Sequence, residues 1–481
     1  MNTRFNVGPA HPPGPSARAR EEEAAFAALY RLSAIEIWER LSYYLLMTLL
    51  VLALTAPVTG GGFGWSAAAA LGLYGGLVAA VQALPVAGGA LSDSLLGPAR
   101  ALRIGAILML LGHMTLAVPH MVPIMWERID PEFDRSRFLA TQIDLQFCDG
   151  SLPERLIVGS LYAGLALVAL GNALFKPNIS AIIGRLGFGS HAARDAGFSL
   201  FHMFVNLGGL IAILLGGWVA ERFGYGPAFT LAGFGMVAAL GLMHVFRAII
   251  ASPVDGIAHP AQTAPATNRE APLPAKWILP VSVVLVAVTL FGVTLFQVLG
   301  TLNLYAASRV EASLWGVDFP PVWILSANPI VMLLVMPPLA KRWREGRGPG
   351  AKAAISGKAA VGFAFLALAF GSLAAAEFLA REAVVPTLVL AAAIALITIA
   401  ELLVGPSALS AITRIIPANR GALGAGMFYA ALGLGGFLSG QIGASAQDVG
   451  FLAIFNVIAG CCGAIAAGLF LSRRAAARIG L

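Results

Sequence analysis

Gly88-Gly89-Ala90-Leu91-Ser92-Asp93-Ser94-Leu95-Leu96-Gly97 is a short polar break carrying one acid, with glycines at both ends, between two long apolar runs. A Gly/Asp segment by itself reads equally well as an ordinary turn. Its flanks change the reading, because the runs at about 66 to 91 and 101 to 122 are each long enough to cross a bilayer as a helix, which takes roughly 20 apolar residues. Working outward, the same alternation of apolar run and break continues to both ends of the chain. The spans fall at about 28 to 56, 66 to 91, 101 to 122, 155 to 184, 197 to 220 and 225 to 250. After a polar stretch they continue at 276 to 306, 319 to 340, 353 to 379, 383 to 413, 421 to 446 and 449 to 472. The expected fold class is an all-α membrane protein of twelve transmembrane helices in two six-helix bundles.

Composition agrees. Of 481 residues, 58% are apolar and 11% charged, with a mean hydropathy of +0.82, whereas a soluble domain carries roughly 25% charged residues. A disulfide scaffold is excluded, since two of the 3 cysteines, Cys461 and Cys462, are adjacent in an apolar run. Disordered and coiled-coil chains are excluded by the same composition. A net charge of +7 would suggest nucleic acid in a soluble domain. Here the basic residues lie mostly between apolar runs and report topology, so no nucleic-acid partner is expected.

Most of the 31 Lys and Arg fall on the side of the N-terminus, including the cluster Lys341, Arg342, Arg344 and Arg347. The positive-inside rule then places both termini in the cytoplasm; the expected location is a bacterial-type inner membrane, in contact with the lipid bilayer. Residues 1 to 20, rich in Pro, Gly and Arg, do not read as a cleavable signal, so the first helix is expected to remain. The domains are a cytoplasmic tail at 1–27, a first bundle at 28–251, a cytoplasmic linker at 252–275 rich in Pro, Ala and Thr, a second bundle at 276–473 and a tail at 474–481.

Six spans on each side of a cytoplasmic linker resemble the major facilitator superfamily, whose halves bind substrate between them near the midplane. The opening segment resembles that superfamily's loop signature between the second and third helices, with Gly88, Gly89 and Gly97 for close packing and Asp93 at a helix end.

Ionisable residues inside spans cost about 2.5 to 3.5 kcal/mol each on insertion scales and usually pair or line a cavity. Span 1 holds Glu36-Ile37-Trp38-Glu39-Arg40-Leu41-Ser42-Tyr43-Tyr44, in which the charged and phenolic groups recur every three or four residues on one helix face. Glu36 and Arg40 could simply neutralise each other as an i,i+4 pair. The surplus acid and two phenols favour more than that. Lys176 in span 4, followed by Pro177, and Glu401 in span 10 could each snorkel to the interface; together with the span 1 acids they read as a switching network.

These residues carry a closer resemblance. Glu36 to Tyr44 resembles the E-x-x-E-R-F-x-Y-Y motif of the proton-dependent oligopeptide transporter family, with Leu41 for the usual phenylalanine. Phe175-Lys176-Pro177-Asn178 resembles its F-K-P-N. Phe198 to Gly208 resembles its F-S-x-F-Y-x-x-I-N-x-G, with His202 for tyrosine. Asn328-Pro329 and Glu401-Leu402-Leu403 match its eighth and tenth helices.

What the resemblance implies is a proton-coupled symporter that imports di- and tripeptides by alternating access, with no enzymatic activity. The implied proton-coupling residues are Glu36, Glu39, Arg40 and Lys176. The implied substrate contacts are Arg40 and Lys176 for the peptide carboxylate, Glu401 for its ammonium, Asn206 and Asn328 for its backbone, and Tyr43, Tyr44, Gln82 and His202 as walls and hydrogen-bonding groups. No cofactor is expected beyond the proton, no metal, and a monomeric functional unit.

The chain departs from the family's pattern where Phe296-Gln297 replaces an acid followed by glutamine on the seventh helix. Gln82 stands for a tyrosine, and Gly292 and Phe428 stand for tryptophans. His202 reads either as a neutral substitute for tyrosine or as a titrating group. The linker leaves no room for the extra helix pair of many bacterial members. These changes keep open a second expectation, a same-family transporter of a modified amino acid or peptide-like compound.

Overall fold

The computed structural model describes residues 15–57, 60–134, 151–188, 190–251, 275–344, 355–381, 383–416 and 421–478. Among them are twelve helices long and apolar enough to cross a membrane. In the first half these are α1 (Pro15–Thr55), α2 (Ala67–Leu91), α3 (Pro98–Ile129), α4 (Leu152–Gly184), α5 (His191–Phe223) and α6 (Tyr225–Val245). In the second half they are α7 (Ala275–Leu295), α8 (Ala327–Arg344), α9 (Ile355–Ala380), α10 (Thr387–Ile415), α11 (Gly421–Ala444) and α12 (Ala446–Arg478). The protein is an integral membrane protein. The linker at 252–274, the tail residues 1–14 and 479–481, part of the third inter-helix loop (135–150) and Arg347 lie outside the described residues.

Helix starts follow local chemistry. Ser66 caps α2 by accepting from the Ala69 amide at 3.2 Å, and Ser190 caps α5 through Ala193 at 3.1 Å. Ser151 and Glu154 close a capping box on α4, each satisfying an amide that the helix leaves unpaired. The chain enters α1 at Pro15, well before the expected residue 28, because Glu21 to Ala28 is a strong helix-forming run that needs no bilayer.

The seventh span corrects the sequence reading of one continuous helix over 276–306. α7 stops at Leu295, residues 296–300 form a turn, and helix resumes at Thr301–Arg309. Tyr74 of α2 causes the break to be tolerated: its hydroxyl donates to the Phe296 carbonyl at 3.3 Å, which would otherwise serve the amide of residue 300. A Cβ on Gly300 would come within 2.9 Å of the Tyr74 ring. Beyond the resumed helix a hairpin pairs β1 (Ser313–Leu314) with β2 (Val317–Asp318). Its turn residues Trp315 and Gly316 both have positive φ, as a two-residue hairpin turn requires.

Each half has its own buried core, with Leu45, Tyr74 and Phe175 among the first half's side chains and Phe291, Phe363 and Phe455 in the second. The halves meet chiefly where α2 lies on α11 and α5 on α8. Gly75 and Gly440 make the first approach possible, since a Cβ on Gly440 would fall 2.7 Å from the Gly75 Cα. Three hydrogen bonds across the halves are at the end that holds residues 60–66, here called the distal end: Asn303 to the Thr48 carbonyl at 2.6 Å, Tyr74 to Phe296, and Trp323 to the Leu214 carbonyl at 2.9 Å. The molecule is therefore closed at that end.

The loop signature lies at the opposite, tail end. A Cβ on Gly88 would lie 2.1 Å from the Ala173 carbonyl oxygen, so glycine lets α2 touch the α4 backbone. Gly89 faces Pro177, Ser92 donates to Asn178 at 2.5 Å, Asp93 is exposed, and Gly97 turns the chain into α3 with φ of 72°. This joint ties the α2–α3 loop to α4 two residues beyond Lys176.

Candidate transport site

The spacing in α1 delivers Glu36, Glu39, Arg40, Tyr43 and Tyr44 to the inside of the first bundle. Glu36, Glu39 and Arg40 are 3%, 0% and 5% exposed, so three charges are held away from water. Burial on this scale is tolerated only with close pairing, and Arg40 supplies it. Its Nη2 donates to Glu39 Oε1 at 2.7 Å while its Nε donates to Glu39 Oε2, a two-bond fork. The same Nε lies 3.0 Å from Glu36 Oε1. The i,i+4 pair anticipated from spacing is present, but Arg40 serves two acids at once. Glu36 Oε2 remains without a partner.

Gly208 of α5 makes room for this packing, since a Cβ there would come within 2.7 Å of the Ile37 carbonyl oxygen and 2.8 Å of the Arg40 Cβ. The sequence reading quoted Gly208 within a motif and gave it no role. Next to it Gly209 meets the Tyr44 ring, and Arg40 lies 5.0 Å over the Tyr43 ring. Asn206, one turn earlier, donates to the His202 carbonyl at 2.9 Å, and His202 itself is exposed.

Lys176 is half-buried and lies in the field of Glu36, Glu39 and Arg40. Its Nζ donates to Gln82 Oε1 at 3.2 Å and lies 5.9 Å from the Tyr429 ring of the other half. Sequence reasoning placed Gln82 against substrate and missed Tyr429, whose only signal is an aromatic beside Phe428 on span 11. It also missed Asn172, an uncharged amide one turn before Lys176. Asn172 is fully buried and faces Glu39, yet neither of its amide atoms closes a hydrogen bond of ordinary geometry.

The second half supplies the opposite charge. Asn328, where α8 begins, donates to Thr398 Oγ1 at 2.9 Å and to Glu401 Oε2 at 3.3 Å, so one amide orients the acid on α10. Tyr44 lies within electrostatic reach of Arg40 and of Glu401. At the seventh-helix departure, Phe296 offers only its carbonyl, and Gln297 donates to the Ser439 carbonyl at 3.2 Å within the second half. The structure thus gathers Glu36, Glu39, Arg40, Tyr43, Tyr44, Gln82 and Lys176 on one side, Asn328 and Glu401 on the other, and leaves the loop glycines and Asp93 apart at the tail end. Among the described residues, no cluster of His, Cys, Asp or Glu could hold a metal.

The POT family profile matches residues 99–246 and 262–454. The peptide transporter YePEPT of Yersinia enterocolitica is 27% identical over 486 aligned positions, which span 87% of this chain and 88% of that one. A crystal structure of peptide transporter POT in complex with sulfate superposes with a TM-score of 0.77 at 24% identity, covering 94% of this chain and 95% of the other. A POT family transporter in complex with 5-aminolevulinic acid gives 0.75 at 18% identity, covering 93% and 96%. The twelve-helix fold expected from the apolar runs is shared with these structures.

Proposed function

The chain belongs to the POT family and is a transporter, not an enzyme; from that premise we propose that it is a proton-coupled symporter importing di- and tripeptides by alternating access. The observation that carries the reading is the division of charge between the halves: Arg40 and Lys176 on the first, Glu401 on the second. A short peptide is a zwitterion whose carboxylate suits a guanidinium fork and whose ammonium suits a carboxylate. A ligand held at both ends draws the halves together, which is what a rocking mechanism needs.

In the closed-distal state the acids of α1 occupy Arg40. A proton arriving on Glu36 or Glu39 removes one negative charge and loosens that grip, freeing Arg40 for the substrate carboxylate, with Lys176 beside it. Release of the proton toward the cytoplasm restores the pairing and expels the carboxylate. Neither proton nor peptide moves alone at full rate, so an inward proton gradient drives uptake. Asn206 and Asn328 would read the peptide backbone, and Tyr43, Tyr44, Gln82 and His202 would line the pocket, leaving side-chain selectivity loose. The functional unit is one chain in an inner membrane with both termini cytoplasmic, and the proton is its only coupling species.

A second reading, transport of a modified amino acid, is favoured by one feature, the Gln82 amide on Lys176 where the family's tyrosine is usual. Uptake of labelled dialanine into proteoliposomes under an imposed pH gradient tests the first reading. Competition by excess tripeptide with no competition by 5-aminolevulinic acid supports it, and the reverse pattern selects the second.

A further inference from the structure

We propose that the hairpin between the seventh and eighth spans is a membrane-interface anchor, with Trp315 at its tip seated among the lipid headgroups and upper acyl chains of the leaflet at the distal end. The proposal uses only the membrane-spanning fold and does not depend on what the protein carries.

Trp315 is 93% exposed, more than any other large apolar side chain among the described residues. It is also held at φ of 50°. A left-handed backbone is an outlier for a bulky residue, and the first position of such a turn ordinarily takes Asn, Asp or Gly. Tryptophan therefore weakens the turn, and with its ring standing clear of the protein no packing within the chain offsets that. Strain of this kind persists where a function needs the side chain.

The ribbon below the tip has two unlike faces. Leu314 stands opposite Val317 and shares one face with it, while Ser313 and Asp318 share the other. Val317 is exposed, so the apolar face adds to the tip. On the polar side Asp318 is exposed and the Ser313 hydroxyl donates to Glu311 Oε1 at 2.9 Å. A boundary between hydrocarbon and water accepts both faces at once. Residues 311–319 contain no Lys or Arg, and Arg309 is engaged by Glu377 at 3.0 Å, so the attraction is to the apolar layer and not to anionic headgroups.

The hairpin's mounting sets its height. The Glu311 amide donates to the Val385 carbonyl at 2.9 Å, and the Thr387 hydroxyl donates to the Ser313 carbonyl at 3.2 Å. The ribbon is thus fastened to the first residue of α10, where a membrane span begins. Val384 and Leu388, on either side of that point, are exposed apolar residues, and in a spanning protein such outward positions meet lipid. The hairpin continues this bilayer-facing surface at the level where the span meets water. Tryptophan is enriched there because its ring is apolar while its indole N–H needs a polar partner.

Trp315→Gly suits the positive φ and removes the ring. The full-length parent and variant are reconstituted into phosphatidylcholine vesicles, either plain or brominated near the top of the acyl chains, and the variant's tryptophan emission is subtracted from the parent's. The difference isolates Trp315. It should be blue-shifted from tryptophan in water, lose most of its intensity in brominated lipid, and be little affected by iodide present on both sides of the membrane. Trp315→Phe also removes the indole and gives the same difference spectrum if the glycine variant does not fold. A difference emission quenched by iodide and untouched by brominated lipid places Trp315 in water and overturns the anchor. One untouched by either quencher places it against protein, such as a second copy of the chain, and overturns the anchor as well.

Discussion

The Lys176 ammonium donates to the Gln82 side-chain oxygen, 94 residues away in sequence and 3.2 Å away in space, rather than to a carboxylate of α1. Arg40 is the cation in contact with both Glu36 and Glu39, whereas the lysine meets the Tyr429 ring of the other half. The arrangement divides labour between the two cations: Arg40 holds the acids and Lys176 waits for an anion.

Gln82→Leu should therefore weaken substrate binding. A hydrogen bond to a charged group contributes about 1.5 to 3 kcal/mol, and losing it should raise KM for dialanine about tenfold or more with little change in the maximal rate. Initial-rate uptake measures both. A variant with parental KM would show that Gln82 does not position the lysine.

Lys176→Ala should abolish accumulation driven by a proton gradient while peptide counterflow survives, because exchange needs no net proton movement. Normal gradient-driven accumulation in this variant would remove Lys176 from the mechanism.

Glu401→Gln should leave folding intact and reduce peptide binding about a hundredfold, close to 3 kcal/mol for a partly buried ion pair. The parent protein should discriminate against N-acetyl-dialanine to a similar extent. Equal transport of the acetylated and free peptides by the parent would show that Glu401 has some other role.

The twelve spans were legible in the sequence because a bilayer forces every backbone polar group into a helix and so writes long apolar runs. The break in the seventh span was not. The run from Ile278 to Leu302 carries no charged residue to mark a stop, and the Phe296 carbonyl freed by the break is satisfied by the Tyr74 hydroxyl of another span. The Glu36–Arg40 pair followed from i,i+4 spacing, whereas the fork from Arg40 to the adjacent Glu39 and the Gln82–Lys176 bond depend on side-chain direction and tertiary packing. Asn172 left no trace in pattern at all, since a single amide among small residues carries no charge to flag it.

Gly440→Val tests the closed-distal state. The added side chain must displace the Leu71 carbonyl oxygen, 2.4 Å from the position of a Cβ, and the Gly75 backbone. An overpacking penalty of about 1 to 3 kcal/mol should shift the population about fivefold to a hundredfold away from distal closure. Spin labels at the distal ends of α2 and α11 should report longer distances than in the parent, with uptake reduced in step. Unchanged distances would mean that the glycine contact does not set this state.

The central claim, that peptide and proton cross together through the acids of α1, is tested most directly by proton movement that peptide alone drives. Proteoliposomes enclosing a pH-sensitive dye, with no pH gradient and the membrane potential clamped, should acidify inside when dialanine is added outside. The Glu36→Gln and Glu39→Gln variants should each lose most of that acidification. Entry of labelled dialanine into parental vesicles with no change in internal pH, or full acidification in both glutamine variants, would contradict the account.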